Sequence, residues 1–68
     1  MNVTVNGEER QLPDGATVGD VVSELDVRPE RGGVAIAVNG EVVRRPEWAH
    51  TGLADGDRVE VLAAIQGG

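Results

Sequence analysis

Residues 17–25, TVGDVVSEL, decide the fold because they specify one short amphipathic helix with a defined start. Thr17 and Asp20 have the spacing of a capping box, in which a hydroxyl and a carboxylate bind the N–H groups left free at a first helical turn. Apolar residues recur on one face at helical spacing: Val18, Val21, Val22 and Leu25. We expect the remaining residues to point outward: Gly19, Ser23 and Glu24. A helix with one apolar face must pack against another layer, and the flanking sequence predicts a sheet.

Two β-hairpins are predicted, one on each side of this helix. Residues 3–5 alternate between apolar and polar, and Asn6-Gly7 is a strong hairpin-turn signal before a polar segment. After the helix, the uncharged run VAIAV at residues 34–38 has the composition of an interior strand. Asn39-Gly40 then turns the chain into a second short strand, which Pro46 closes.

The segment PEWAHTGLADGD, residues 46–57, is too polar and irregular to predict a regular element. Within it, we expect Trp48 and Leu53 to pack back against the core. The turn at residues 55–57 leads into a last strand over residues 58–64.

The resulting order is strand, strand, helix, strand, strand, irregular turn, strand. In so short a chain, this order predicts an α+β protein with the β-grasp, or ubiquitin-like, fold, in which a mixed sheet of about five strands curls around one helix. The length allows a single domain. We therefore expect a β-grasp domain over residues 1–65 and a flexible diglycine tail over residues 66–68.

Composition narrows the classes of partner. Twelve acidic residues against six basic ones give a net charge of −6, which would repel a phosphate backbone, so no nucleic acid partner is expected. No apolar stretch approaches the roughly 18 residues needed to cross a bilayer, so no membrane association is expected. The absence of cysteine gives no support to an oxidising compartment, and a cytoplasmic protein is predicted.

The sequence offers little for catalysis or metal binding. It has no cysteine or tyrosine, one serine (Ser23) and one histidine (His50), so a nucleophile with a base and an orienting third group is not readily assembled. We therefore predict that the chain is not an enzyme and has neither catalytic residues nor a metal site.

Alternation in the strands predicts an exposed apolar patch. If Glu60 lies in water, Val59 and Val61 point inward, and the residues on the other face of the last strand point outward. If the strands are neighbours, the outward apolar residues form one shallow patch: Ala35, Ala37, Leu62 and Ala64. Such a patch is typical of a docking surface, and scattered exposed alanines are the alternative interpretation.

The chain ends on two glycines, and the terminal carboxylate is a candidate functional group. Gly68 carries an ionised carboxylate that no side chain shields, but it accepts a nucleophile only after gaining a leaving group such as AMP from ATP. Gly67 lacks a Cβ atom, so the terminus can enter a narrow channel. Residues 66–68 reach at most about 10 Å into a partner's site. A chance Gly-Gly ending is the alternative interpretation.

Several motifs of the second half occur together in register. They are AVNGE at residues 37–41, Val43, Arg45, Trp48, Leu53, DGDRVEV at residues 55–61 and QGG at residues 66–68. In this combination the half of the chain from residue 34 to residue 68 resembles the sulfur carrier proteins of thiamin biosynthesis, the ThiS family.

The resemblance implies a mechanism and partners. A partner similar to ubiquitin-activating (E1) enzymes would adenylate Gly68 with ATP, and sulfur from a cysteine persulfide would replace AMP to leave a thiocarboxylate. Thiazole synthase would then receive the sulfur. Gln66 and Gly67 would be threaded beside Gly68, and the outer patch would dock against both partners in turn. No bound cofactor is expected, because ATP and the sulfur donor come through the partner, and the free carrier is expected to be a monomer.

Other functions share this fold and tail. A sulfur carrier for the molybdenum cofactor or for other sulfur metabolites would differ only in the recipient of its sulfur. An ubiquitin-like protein modifier would end in an amide bond to a lysine. A plain interaction domain would use the patch and would not need the two terminal glycines.

Overall fold

The computed structural model describes residues 1–25 and 33–63 of the chain. Within these residues, five strands, one α-helix and one 3₁₀ helix follow in the order β1 (Asn2–Val5), β2 (Glu8–Gln11), α1 (Val18–Glu24), β3 (Val34–Val38), β4 (Glu41–Val43), the 3₁₀ helix (Arg45–His50) and β5 (Arg58–Ala63). The strands form one sheet in the order β2-β1-β5-β3-β4. Only the β1–β5 pair is parallel among these neighbours. This mixed sheet with one helix confirms the predicted α+β, β-grasp architecture.

Both predicted Asn-Gly turns are present, and their backbone explains the sequence. Asn6 and Gly7 have φ angles of 52° and 83°, and Asn39 and Gly40 have φ angles of 51° and 85°. Positive φ at both central residues gives the turn a twist that matches the twist of paired strands, and asparagine and glycine tolerate it best. The turns fix the registers of the two hairpins, in which Val5 pairs with Glu8 and Val38 with Glu41.

The predicted capping box starts α1. The Asp20 backbone N–H donates to Thr17 Oγ1 at 3.3 Å, and the Thr17 backbone N–H donates to Asp20 Oδ2 at 2.8 Å. Each of these two backbone N–H groups at the start of α1 thus has a side-chain oxygen as its acceptor. The predicted apolar face is also correct, because Val18, Val21 and Val22 are buried and Leu25 packs against the core.

The core lies between α1 and the inner face of the sheet. Its buried residues come from every layer of the fold: Val3, Val5, Leu12, Ala16, Val18, Val21, Val22, Ile36, Trp48, Leu53, Val59 and Val61. Trp48 and Leu53 pack into it as predicted, and the Trp48 indole N–H donates to the Val43 carbonyl oxygen at 2.8 Å. This bond satisfies the polar group of the buried ring and ties the 3₁₀ helix to the end of β4.

Two predictions were wrong, one about residues 46–57 and one about Gly19 in α1. Residues 46–57 are not irregular throughout, because Arg45–His50 form the 3₁₀ helix with Pro46 in its first turn. Proline presets a helical φ, and the Glu47 N–H donates to the Arg44 carbonyl at 2.8 Å in the tight spacing of this helix type. Gly19 is half-buried rather than outward, since a Cβ atom there would lie 3.5 Å from the Ala49 Cα. The packing of the 3₁₀ helix against α1 is the reason.

The described strand β5 ends at Ala63, so residue 64 of the predicted last strand lies outside the described residues. Among the described residues, no helix combines the length and the apolar character needed to cross a membrane.

Candidate functional site

The outer face of the sheet carries a shallow groove where β5, β3 and β4 lie side by side. In the registers of these strands, Ala35 pairs with Leu62, and Ala37 lies between Glu60 on β5 and Val42 on β4. The groove encloses about 110 Å³ and is lined by Ala35, Ile36, Ala37, Val42, Glu60 and Leu62. We call this surface the outer groove.

The shape of the outer groove follows from the sizes of its side chains. Leu62 and Val42 are the most exposed large apolar residues of the described chain, at 71% and 73%. The small side chains of Ala35 and Ala37 occupy the strand between them, so the surface is lower there than on either side. Ile36, the next residue along β3, is 1% exposed and belongs to the core. The groove is therefore backed by a rigid interior strand, and covering it would remove two large apolar side chains from water.

Glu60 gives the outer groove a polar side. Its side chain is exposed and shares the outer face of β5 with Leu62, two residues later. Because the whole chain carries a net charge of −6, a partner surface that covers the groove lies in a negative electrostatic potential. An apolar surface flanked by basic side chains has the complementary character.

The structure brings together three of the four residues predicted for the patch. Ala35, Ala37 and Leu62 share the outer face, whereas Ala64 lies outside the described residues. Val42 was missed by the sequence analysis. A signal for it existed, because a two-residue Asn39-Gly40 turn sets Val42 opposite Ala37 and hence on the same face.

The predicted terminal residues also lie outside the described part of the chain. These are the adenylation site Gly68 and the threading residues Gln66 and Gly67. The last described residues before them are Leu62 and Ala63 of β5, so the outer groove adjoins the strand that leads to the terminus.

Ser23 and His50, the single serine and the single histidine of the sequence, are both exposed and lie on different elements, α1 and the 3₁₀ helix. In the described ranges, no three histidine, aspartate or glutamate residues are grouped so that they could hold a metal ion. The outer groove is thus the candidate site that the described structure offers, and its chemistry is that of a binding surface.

Comparison with known proteins identifies what the chain is similar to. It matches the ThiS family model over residues 3–68. The sulfur carrier protein ThiS of Escherichia coli (strain K12) is 34% identical over 68 residues, which cover 100% of both chains. The thiazole synthase of Paramagnetospirillum magneticum is 37% identical over 68 residues, which cover 100% of this chain and 20% of that protein.

A solved structure has the same fold. The crystal structure of the thiamine biosynthesis protein ThiS from Geobacter metallireducens superposes with a TM-score of 0.79 at 36% sequence identity. The match covers 100% of this chain and 100% of the other.

Proposed function

Because the chain belongs to the ThiS family of sulfur carrier proteins of thiamin biosynthesis, we propose that the carboxylate of Gly68 is the group that carries its sulfur. The match to the family model extends to residue 68 and so includes the two terminal glycines. The sequence contains no cysteine, so no side-chain thiol competes for this role. This agreement between the family match and the composition supports the terminus as the site of chemistry.

The proposed chemistry begins by activating the carboxylate. A carboxylate oxygen of Gly68 attacks the α-phosphate of ATP, and pyrophosphate leaves as the acyl-adenylate forms. The terminal sulfur of a cysteine persulfide then attacks the acyl carbon and displaces AMP. A second thiol of the partner attacks the cysteine sulfur of the resulting acyl disulfide, so that a disulfide forms between the two cysteines and the thiocarboxylate leaves. ATP and the sulfur donor are held by the partner enzymes, and the carrier supplies only the reacting terminus. In this proposal the chain is a co-substrate rather than an enzyme.

The proposed partners are an E1-like adenylating enzyme and thiazole synthase. The similarity to 20% of a thiazole synthase supports the second partner, because that protein contains a segment similar to this whole chain. Joining a carrier to its recipient raises their effective concentration without any new contact. A separate carrier must instead bind its recipient through a surface of its own.

The outer groove is the surface we propose for this docking, and the exposure of Leu62 is the observation that carries the proposal. Leu62 lies on β5, 71% exposed, in the strand that leads to the terminus. The six residues from there to Gly68 span at most about 20 Å. A partner that covers the groove therefore has the terminal carboxylate within reach of an active site beside it. Ala35 and Ala37 would lie beneath the same partner, and Ala64, which lies outside the described residues, stays part of the proposed contact as a prediction from the sequence.

We propose that the free carrier is a monomer in the cytoplasm. The groove is lined by six residues, against roughly 20–30 on each side of a standard protein interface, so it favours transient contacts over a permanent dimer. Transient contact suits a carrier that must leave one enzyme before it meets the next.

Mass spectrometry of the terminus tests the proposal. The chain is incubated with the E1-like enzyme, ATP and a persulfide source, and then digested with trypsin. Cleavage after Arg58 releases residues 59–68, which contain no methionine. Replacement of oxygen by sulfur adds about 16 Da to this fragment, and oxidation of Met1, which adds the same mass, falls on another fragment. A chain that lacks Gly68 is the control and should remain unmodified. An unmodified wild-type fragment would refute the proposal.

A further inference from the structure

The side chain of Asn6 binds both backbone polar groups of Val61, 55 residues later in the sequence. The Val61 N–H donates to Asn6 Oδ1 at 2.8 Å, and Asn6 Nδ2 donates to the Val61 carbonyl oxygen at 3.1 Å. Both bonds are partly buried. One amide side chain therefore satisfies the backbone of one residue near the end of β5.

These bonds prolong the parallel pairing of β1 and β5 beyond its last backbone pair. The register ends at Val5 and Val59, and the Asn6 N–H still donates to the Val59 carbonyl at 2.9 Å. At Asn6 the backbone turns away with a φ of 52° to form the hairpin turn. Its side-chain amide takes the place of the next backbone donor and acceptor in the ladder. Glycine would tolerate the same φ but would leave both Val61 groups without this partner.

We propose that Asn6 is a positioning residue for the reaction at the terminus. By binding both backbone groups of Val61, Asn6 fixes the backbone next to Leu62 and therefore the position of Leu62 in the outer groove. This inference rests on the proposed function. Without the two bonds, the end of β5 keeps its pairing with β3 but loses its attachment on the β1 side, and the partner must restore its position on binding. The expected consequence is weaker productive binding with unchanged chemistry once the complex has formed.

The chain contains a matched control for this residue. Asn39 occupies the same place in the other Asn-Gly turn, with a φ of 51°. Its Oδ1 accepts from the Arg58 N–H at 2.9 Å, and its Nδ2 donates to Asp57 Oδ1 at 3.0 Å. Asn39 thus binds the start of β5, the end away from the terminus, with one bond to the backbone and one to a side chain.

Hydrogen exchange of the full chain tests the local effect. We expect Asn6→Gly to accelerate exchange of the Val61 amide about tenfold relative to the Arg58 amide. Asn39→Gly should produce the reverse ratio. Asn6→Asp keeps the acceptor for the Val61 N–H and should restore most of the protection. Equal acceleration of both amides by Asn6→Gly would mean that the bonds contribute only to global stability, and it would overturn the proposal.

Adenylation kinetics test the positioning role, at a temperature where all variants are folded. With the E1-like enzyme and ATP, we expect Asn6→Gly to raise the KM for the carrier about three- to tenfold at unchanged kcat. Asn39→Gly should leave both constants at the wild-type values, and Asn6→Asp should give an intermediate KM. Equal KM values for the two glycine variants, or a loss confined to kcat, would overturn the proposal. A wild-type chain that is not adenylated at all would instead refute the proposed function, and the positioning role would fall with it.

Discussion

Replacement of Leu62 by threonine should weaken binding to the partner enzymes while leaving the fold intact. Leu62 is 71% exposed in the free chain, so its side chain contributes little to the core. Threonine favours the β-strand conformation, so it is suited to this exposed position. The backbone hydrogen bonds of β5 do not depend on which side chain is present. The change in unfolding free energy should therefore stay within about 0.5 kcal/mol.

The loss of binding can be estimated from the same exposure. Full burial of a leucine side chain contributes about 1.5–3 kcal/mol, and 71% of this side chain is still in water before binding. Covering the outer groove should therefore recover about 1–2 kcal/mol from this residue. Its removal should raise the Kd for the E1-like enzyme about five- to thirtyfold.

Titration calorimetry with the full chain measures this Kd, and urea unfolding monitors stability in parallel. Gln11→Thr is the matched control, because Gln11 is an exposed, uncharged residue on β2, at the sheet edge away from the groove. The control should bind as the wild type does. A Leu62→Thr chain that is fully folded and binds within about twofold of wild type would refute the assignment of the outer groove as the docking surface.

Three further substitutions test the account of the fold by urea unfolding. Trp48→Phe removes the indole bond to the Val43 carbonyl and should cost about 1–3 kcal/mol; an unchanged midpoint would contradict this role. Thr17→Ala breaks the capping box and should cost about 1 kcal/mol, with Thr17→Ser as the variant that retains the cap. Gly19→Ala should stabilise α1 by about 0.5–1 kcal/mol, since the new methyl group would meet Ala49 at 3.5 Å, an ordinary contact distance; destabilisation would show that the helices cannot accommodate it.

Features encoded by neighbouring residues could be predicted from the sequence. Asn6-Gly7 and Asn39-Gly40 adopt positive φ whatever lies around them, so the hairpins were predicted correctly. The capping box at Thr17 and Asp20 is likewise a local exchange of hydrogen bonds. Strand alternation correctly placed Leu62 on the outer face.

Features that depend on distant pairing were missed. The 3₁₀ helix has no apolar periodicity over its six residues, and its packing against Gly19 requires the position of α1. The contact between Asn6 and Val61 depends on the parallel register of β1 with β5, which local sequence does not specify. Val42 is a different case, because the local Asn39-Gly40 turn already sets it opposite Ala37, and the sequence analysis did not use this signal.

The position of β5 has a consequence for how the protein is made. β5 is the last strand that the structure describes along the chain, yet it lies at the centre of the sheet, with one hairpin bonded to each of its edges. While a ribosome is still synthesising the chain before Arg58, the two hairpins have no common strand to join them, and a lone hairpin is marginal in water. The complete sheet can therefore form only after β5 has been translated, because the pairs β1–β5 and β3–β5 join residues far apart in the sequence. A chain whose synthesis stops before β5 stays unfolded and is cleaved by proteases. Only chains that include the complete central strand therefore fold.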